Sequence, residues 1–138
     1  MKRLIYTLLI LSPFYIKAQD NTEKVKPPQI ITKLKPGSTI NFKDSSIKFL
    51  KVLEDSRCPT DVTCVWAGQA KLLLGIYKND TLLEEKEIII GAKGITPTNP
   101  EELLKSEDKI VYGYNLSPYP SSSEKINPTD YYLELLVK

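Results

Sequence analysis

The residues able to do chemistry crowd into one stretch, Glu54-Asp55-Ser56-Arg57-Cys58-Pro59-Thr60-Asp61-Val62-Thr63-Cys64-Val65-Trp66-Ala67-Gly68-Gln69-Ala70. Asp55 and Asp61 are the kind of carboxylate pair that glycoside hydrolysis uses when the two groups stand at a controlled separation, which sequence proximity does not establish. Glu54, Asp55 and Asp61 also offer hard oxygens for calcium, with backbone carbonyls completing the ligand set. Against calcium stand the charge of Arg57 and the lack of any calcium-loop repeat. The chain has no His, so no side chain has an ordinary pKa near neutrality to serve as a base. Ser56 and Ser121 have neither an identifiable base nor an orienting partner. A carboxylate-dependent hydrolase and a calcium-binding domain are therefore kept as alternatives, not as the leading reading.

Cys58 and Cys64 are the only cysteines. With no His and no third Cys to complete a soft ligand set, a two-thiolate metal site is the weaker reading. A disulfide is expected, closing a small loop worth about 2 to 2.5 kcal/mol on the chain-entropy model. Around it, Asp55 and Ser56 can accept backbone amides and start a turn. The rigid fork of Arg57 can pair with Asp55, Glu54 or Asp61, or hold loop carbonyls. Pro59 stiffens the loop, and Asp61 can form a second local turn. Trp66 is expected to turn inward, pack on the disulfide and seal the core, at about 3 to 5 kcal/mol relative to Ala; the alternative is an exposed aromatic anchor for a ligand. Ala67 and Gly68 permit close backbone approach or a bulge. Tyr112, Tyr114 and Tyr119, with Tyr131 and Tyr132 nearby in sequence, could give flat amphipathic surface for a glycan or protein, or simply pack.

The run Asp55-Ser56-Arg57-Cys58-Pro59 followed by Cys64-Val65-Trp66-Ala67-Gly68-Gln69-Ala70 resembles a signature of small uncharacterised secreted or lipoprotein-type bacterial proteins, especially of Bacteroidetes. A weaker similarity continues through Leu116-Ser117-Pro118-Tyr119-Pro120 and residues 131–137. The resemblance implies an exported protein and carries no function with it. The lipoprotein cysteine is absent near the boundary, which points to a soluble or noncovalently attached product.

The elements that must position this stretch read as short strands between turns. Residues 30–34 and 39–42 are candidate strands around a Lys35-Pro36-Gly37-Ser38 turn. Residues 47–54 follow, with Ile47, Phe49 and Leu53 on one face. Residues 65–77 place Ala70, Leu72, Leu74 and Ile76 on one face by period two. Lys78-Asn79-Asp80 connects tightly to a strand over 81–90, whose acidic stretch at 84–87 suits an exposed edge. Residues 99–104 carry a helix-start signature: Asn99 as cap, Pro100 at the first helical position and Glu102 three residues after the cap. Residues 109–116 and 131–137 close the set, separated by the Pro- and Ser-rich loop 117–123. The expected fold is all-β: a small antiparallel β-sandwich, Ig-like in general architecture, with one short helix. A partly open barrel is the alternative.

The ends bound the rest. Lys2 and Arg3, the apolar run 4–16 and the polar return at 17–20 read as a secretory signal cleaved after Ala18, residues 1–18. Its apolar part is too short and interrupted to span a bilayer comfortably, so no stable transmembrane span is expected after cleavage. Residues 19–29, ending in Pro27-Pro28-Gln29, read as a flexible leader, and 30–138 as a single disulfide-containing β domain. Loss of Lys2, Arg3 and Lys17 with the signal takes the formal net charge from +2 to −1. Such a surface gives no electrostatic reason to bind nucleic acid. No cofactor motif is present, and Asn79-Asp80-Thr81 is more simply a turn than a glycosylation site. The expected localisation is the periplasm, outer envelope or exterior, where oxidising conditions preserve the disulfide. The leading functional expectation is a noncatalytic secreted or envelope-associated recognition module for an unknown protein or glycan. The alternative is a structural or inhibitory domain that occludes a partner with the 55–64 loop.

Overall fold

The computed structural model describes residues 29–138; the signal read over 1–18 and all but the last residue of the leader read over 19–29 lie outside the described residues. Eight strands are present among the described residues: β1 (Ile30–Leu34), β2 (Thr39–Asn41), β3 (Ser45–Asp55), β4 (Gln69–Lys78), β5 (Thr81–Gly91), β6 (Glu101–Lys105), β7 (Ile110–Ser117) and β8 (Tyr132–Val137). They form two four-stranded antiparallel sheets, ordered β1-β8-β7-β6 and β2-β3-β4-β5. The two sheets pack as a sandwich and do not close into a barrel. The chain crosses between sheets only at 35–38 and 92–100, and each sheet is otherwise a meander. The sandwich thus shares its layers with immunoglobulin domains but not their Greek-key connections.

The period-two pattern of β4 becomes burial. Ala70, Leu72, Leu74 and Ile76 lie in the core with Ile47 and Phe49 of β3, against Val111, Leu116, Leu133 and Leu135 of the other sheet. Asn79 and Asp80 both take left-handed backbone angles (φ 48° and 61°), as a two-residue hairpin matched to strand twist requires. Bulges between Phe49 and Lys51 and between Val52 and Glu54 reset the alternation of β3. Leu53, expected on the face of Ile47 and Phe49, is therefore turned out and exposed. β4 also begins at Gln69, not at Val65.

No helix exists among the described residues, which overturns the one expected over 99–104. The segment is instead β6, paired with β7 through Glu101↔Gly113, Glu102↔Tyr112 and Leu104↔Val111. The cap residues were answered differently: the Asn99 N–H donates to the Thr96 carbonyl (2.9 Å) and Oγ1 (3.1 Å), closing a turn. A two-turn helix is marginal without tertiary support. Here strand geometry lets Leu103 enter the core while Glu101 and Glu102 stay in solvent. Among the described residues no helix is long and apolar enough to cross a membrane.

Candidate functional site

At the end of β3 the chain makes a polar knot. Asp55 and Arg57 are two residues apart, so in extended chain both side chains leave on one side. The pair is bidentate: Arg57 Nε to Asp55 Oδ1 (2.8 Å) and Nη2 to Oδ2 (2.7 Å). Their side chains are only 2% and 8% exposed. The guanidinium also serves the opposite sheet and the loop that follows it, with Nη1 donating to the Leu116 carbonyl of β7 (2.6 Å) and Nη2 to that of Pro118 (3.0 Å). Tyr119 lays its ring over the same guanidinium, 4.7 Å from its centre. Tyr131, just before β8, donates its hydroxyl to Asp55 Oδ2 (3.0 Å). Among the described residues no buried side-chain polar atom is left without a partner. A buried pair of this kind offsets its desolvation only through such complete satisfaction.

The electrostatics follow from this arrangement. Burial pushes the Asp55 carboxyl up, but the hydrogen bonds and charge of Arg57, with the Tyr131 hydroxyl, outweigh it and hold Asp55 below the ordinary carboxylate value. Burial and the Asp55 carboxylate push the Tyr131 phenol up to about 12.

Ser56 continues the β3–β4 ladder beyond the strand: its N–H (2.8 Å) and Oγ (2.9 Å) both donate to the Gln69 carbonyl. Cys58 N–H donates to the Ala67 carbonyl (3.0 Å). Gly68 sits opposite this rung at φ +68°, where an added Cβ would fall 1.8 Å from the Ser56 carbonyl oxygen, so close approach and backbone angle both demand glycine. Cys58 and Cys64 are joined, with Cα atoms 5.9 Å apart. The closed loop reaches the 117–123 segment: Thr60 N–H donates to the Pro120 carbonyl (3.1 Å), and Asp61 accepts the Ser122 N–H (2.8 Å) and hydroxyl. These two bonds from Ser122 hold the Asp61 carboxyl below its ordinary value.

Trp66 does not seal the core. It is 81% exposed and Val65 89%, with Val62 and Tyr119 also exposed. The expected inward packing is therefore lost, and at this end the buried polar group is Arg57 instead. Of the expected site residues, the structure brings Asp55, Arg57 and Tyr119 into one contact set, with Ser56 and Asp61 bracing it. Tyr112 is four residues back from Leu116 on β7, its ring 5.0 Å from Lys138 Nζ, and Tyr114 stays half-buried on the same strand. The carboxylates proposed for hydrolysis or calcium are dispersed: Glu54 faces Lys71 (3.7 Å), Asp55 is committed to Arg57, and Asp61 to Ser122. No group of three or more His, Cys, Asp or Glu among the described residues could hold a metal ion. Tyr131, missed as a partner of Asp55, lies 76 residues away and gave no local signal.

Compared with family models, with curated proteins and with solved structures, the chain finds no match.

Proposed function

We propose that this chain is a noncatalytic recognition module of the cell envelope or exterior, exported by residues 1–18, which meets its partner with the disulfide-closed end of the sandwich. The observation that supports this reading is the outward Trp66, 81% exposed on a loop fixed by the disulfide, the Ser56–Gln69 rung and the Asp61–Ser122 bonds. A tryptophan contributes about 150 to 250 Å² of surface, or about 4 to 6 kcal/mol of burial before the costs of association. Because the loop is already ordered, little of that gain is spent on arranging it. Val65, the preceding residue, and Val62 of the disulfide loop are also exposed and uncharged, a composition that suits an interface centre more than a rim.

The test is capture from the envelope and extracellular fractions of the producing cell by the oxidised protein. A partner retained by the wild type and by Tyr112→Ser, and lost with Trp66→Ser, supports the reading. Equal capture by wild type and Trp66→Ser rejects it.

A further inference from the structure

An open groove of about 730 Å³ runs along β3 between Val52–Asp55 and the 120–126 segment, floored by Tyr131. One wall is the edge of a sheet. β2 pairs with β3 only at Ser46, Ile47 and Lys48, and past these the sole backbone bonds on that side among the described residues join Phe49 to Gly37 (2.6 Å) and Ser38 (3.0 Å). From Leu50 to Asp55, β4 is the only strand partner among the described residues.

The register shows which backbone groups face the groove. Phe49, Val52 and Asp55 oppose Leu74, Leu72 and Ala70, alternate residues of β4 and therefore one class of position in an antiparallel ladder. Phe49 shows where that class points, since its N–H and carbonyl go to the β2 side. Val52 and Asp55 accordingly turn theirs into the groove. Each bulge absorbs one extra residue, so these groups keep the two-residue repeat of β4, about 7 Å. The extra twist of two bulges limits open-ended stacking of strands.

The other wall is held from outside. Pro120 and Ser122 are bonded to Thr60 and Asp61 of the disulfide loop, not to β3, so the groove stands open without a ligand. Its lining combines Val52, Leu53 and Ile126 with Glu54 and Glu124 against Lys125. Among the described residues its only aromatic, Tyr131, is buried, and no exposed ring in that lining offers a sugar a stacking face.

We infer that this groove binds an extended peptide segment of a partner, four to six residues long on the roughly 13 Å of free edge, which adds to β3 where β2 stops. An unpaired edge supplies main-chain hydrogen bonds and the apolar floor supplies side-chain contacts. Glu54, which also faces Lys71 (3.7 Å), and Glu124 outnumber Lys125 on this rim, so a segment carrying a basic residue fits it better than an acidic one. The site goes beyond the Trp66 reading and stands on separate residues.

The probe is a random twelve-residue peptide library panned on the full, oxidised chain, the selected peptides then being synthesised and titrated. Expected are peptides rich in apolar and basic residues whose affinity falls at least tenfold with Leu53→Arg on one wall and with Ser123→Arg on the other. Binding should stay within twofold with Trp66→Ser, and the amides of Val52 and Asp55 should exchange more slowly in the complex. Both arginine substitutions fall at solvent-facing positions, and circular dichroism checks that each variant is folded. Failure to enrich any peptide, equal binding by both arginine variants, unprotected Val52 and Asp55 amides, or binding of an arrayed glycan that Leu53→Arg abolishes would each overturn the inference. Loss of peptide binding with Trp66→Ser alone would move it from the groove to the loop.

Discussion

The Tyr131 hydroxyl donates to Oδ2 of Asp55 across 3.0 Å, tying the residue before β8 to the last residue of β3 and so one sheet to the other. At the opposite end of β3, roughly 26 Å away because its two bulges leave it the span from Lys78 to Ala70 on β4, Asp44 does the same with a smaller partner. The buried Ser106, just past β6, donates to its Oδ1 at 2.7 Å. The two carboxylates bracket β3 and join the sheets at both ends. Only the Asp55 end carries a cation inside, so its removal should be the more damaging.

Arg57→Ala is expected to cost about 3 to 5 kcal/mol, because it leaves the buried Asp55 carboxylate uncompensated and two carbonyls without donors. Chemical denaturation of the oxidised protein measures this. Asp55→Ala added to Arg57→Ala should cost much less than the sum of the single losses, since neither partner is then left alone. Additive losses would show that the pair does not act as a unit.

The same pair sets the acid limit. The folded pKa of Asp55 is depressed, so the unfolded chain binds its proton first as pH falls, and stability is lost. The contribution is complete above the ordinary carboxylate value near pH 4 and disappears as pH drops through the folded value. Asp55→Asn should flatten that limb of a Tm-against-pH curve. At the alkaline end, Tyr131 is raised from 10.0 to about 12, so its contribution is complete below about pH 10 and is lost as pH rises through about 12. Tyr131→Phe should remove a late step from the phenolate absorbance titration.

Much of the sandwich was legible because burial writes itself into alternation. Ala70, Leu72, Leu74 and Ile76 announce a core strand by period two, and each is buried. What failed depended on partners distant in sequence. The Asn99-Pro100-Glu101-Glu102 cap follows helix grammar, yet β7 offered it a ladder worth more than two turns of helix. Leu53 leaves the face that simple alternation assigns it because the bulge after Phe49 shifts the side chains that follow to the other face. At the site, the local partners of Arg57 could be foreseen from Asp55 two residues away. The carbonyls of Leu116 and Pro118 and the hydroxyl of Tyr131 could not, since nothing near Arg57 in sequence specifies which part of the other sheet will cover it.

Glycine substitutions separate close approach from backbone angle. Gly37 (φ +82°) has nothing within 4 Å of an added Cβ, whereas at Gly68 (φ +68°) that atom would meet the Ser56 carbonyl oxygen at 1.8 Å. Gly37→Ala should lose only the conformational term, about 1 to 2 kcal/mol. Gly68→Ala must also displace the Ser56 carbonyl and should lose clearly more. Thermal unfolding of the two variants gives the comparison, and equal losses would mean that the loop relaxes around the clash at no cost.

Reduction of Cys58–Cys64 should lower stability by about 2 to 2.5 kcal/mol, the loop-closure value, without unfolding the domain. The Arg57 knot and the Cys58–Ala67 backbone bond do not use the sulfurs. Denaturant curves with and without reductant test this. Loss of the far-ultraviolet strand signal on reduction at neutral pH would show that the knot cannot hold β3 and β4 together by itself.

Trp66 supplies the sharpest discrimination, because it is the chain's only tryptophan and its fluorescence reports on one place. A core indole would emit at short wavelength, resist quenching and cost about 3 to 5 kcal/mol when cut to alanine. At 81% exposure the expected result is the reverse: emission close to that of free tryptophan, ready quenching by acrylamide, and a stability change within about 0.5 kcal/mol for Trp66→Ala, as for other surface positions. The two sets of outcomes do not overlap. A short-wavelength, quencher-resistant signal that shifts only on unfolding would put the indole inside. It would also remove the surface on which the recognition reading stands, leaving the β3 groove to be judged by its own peptides.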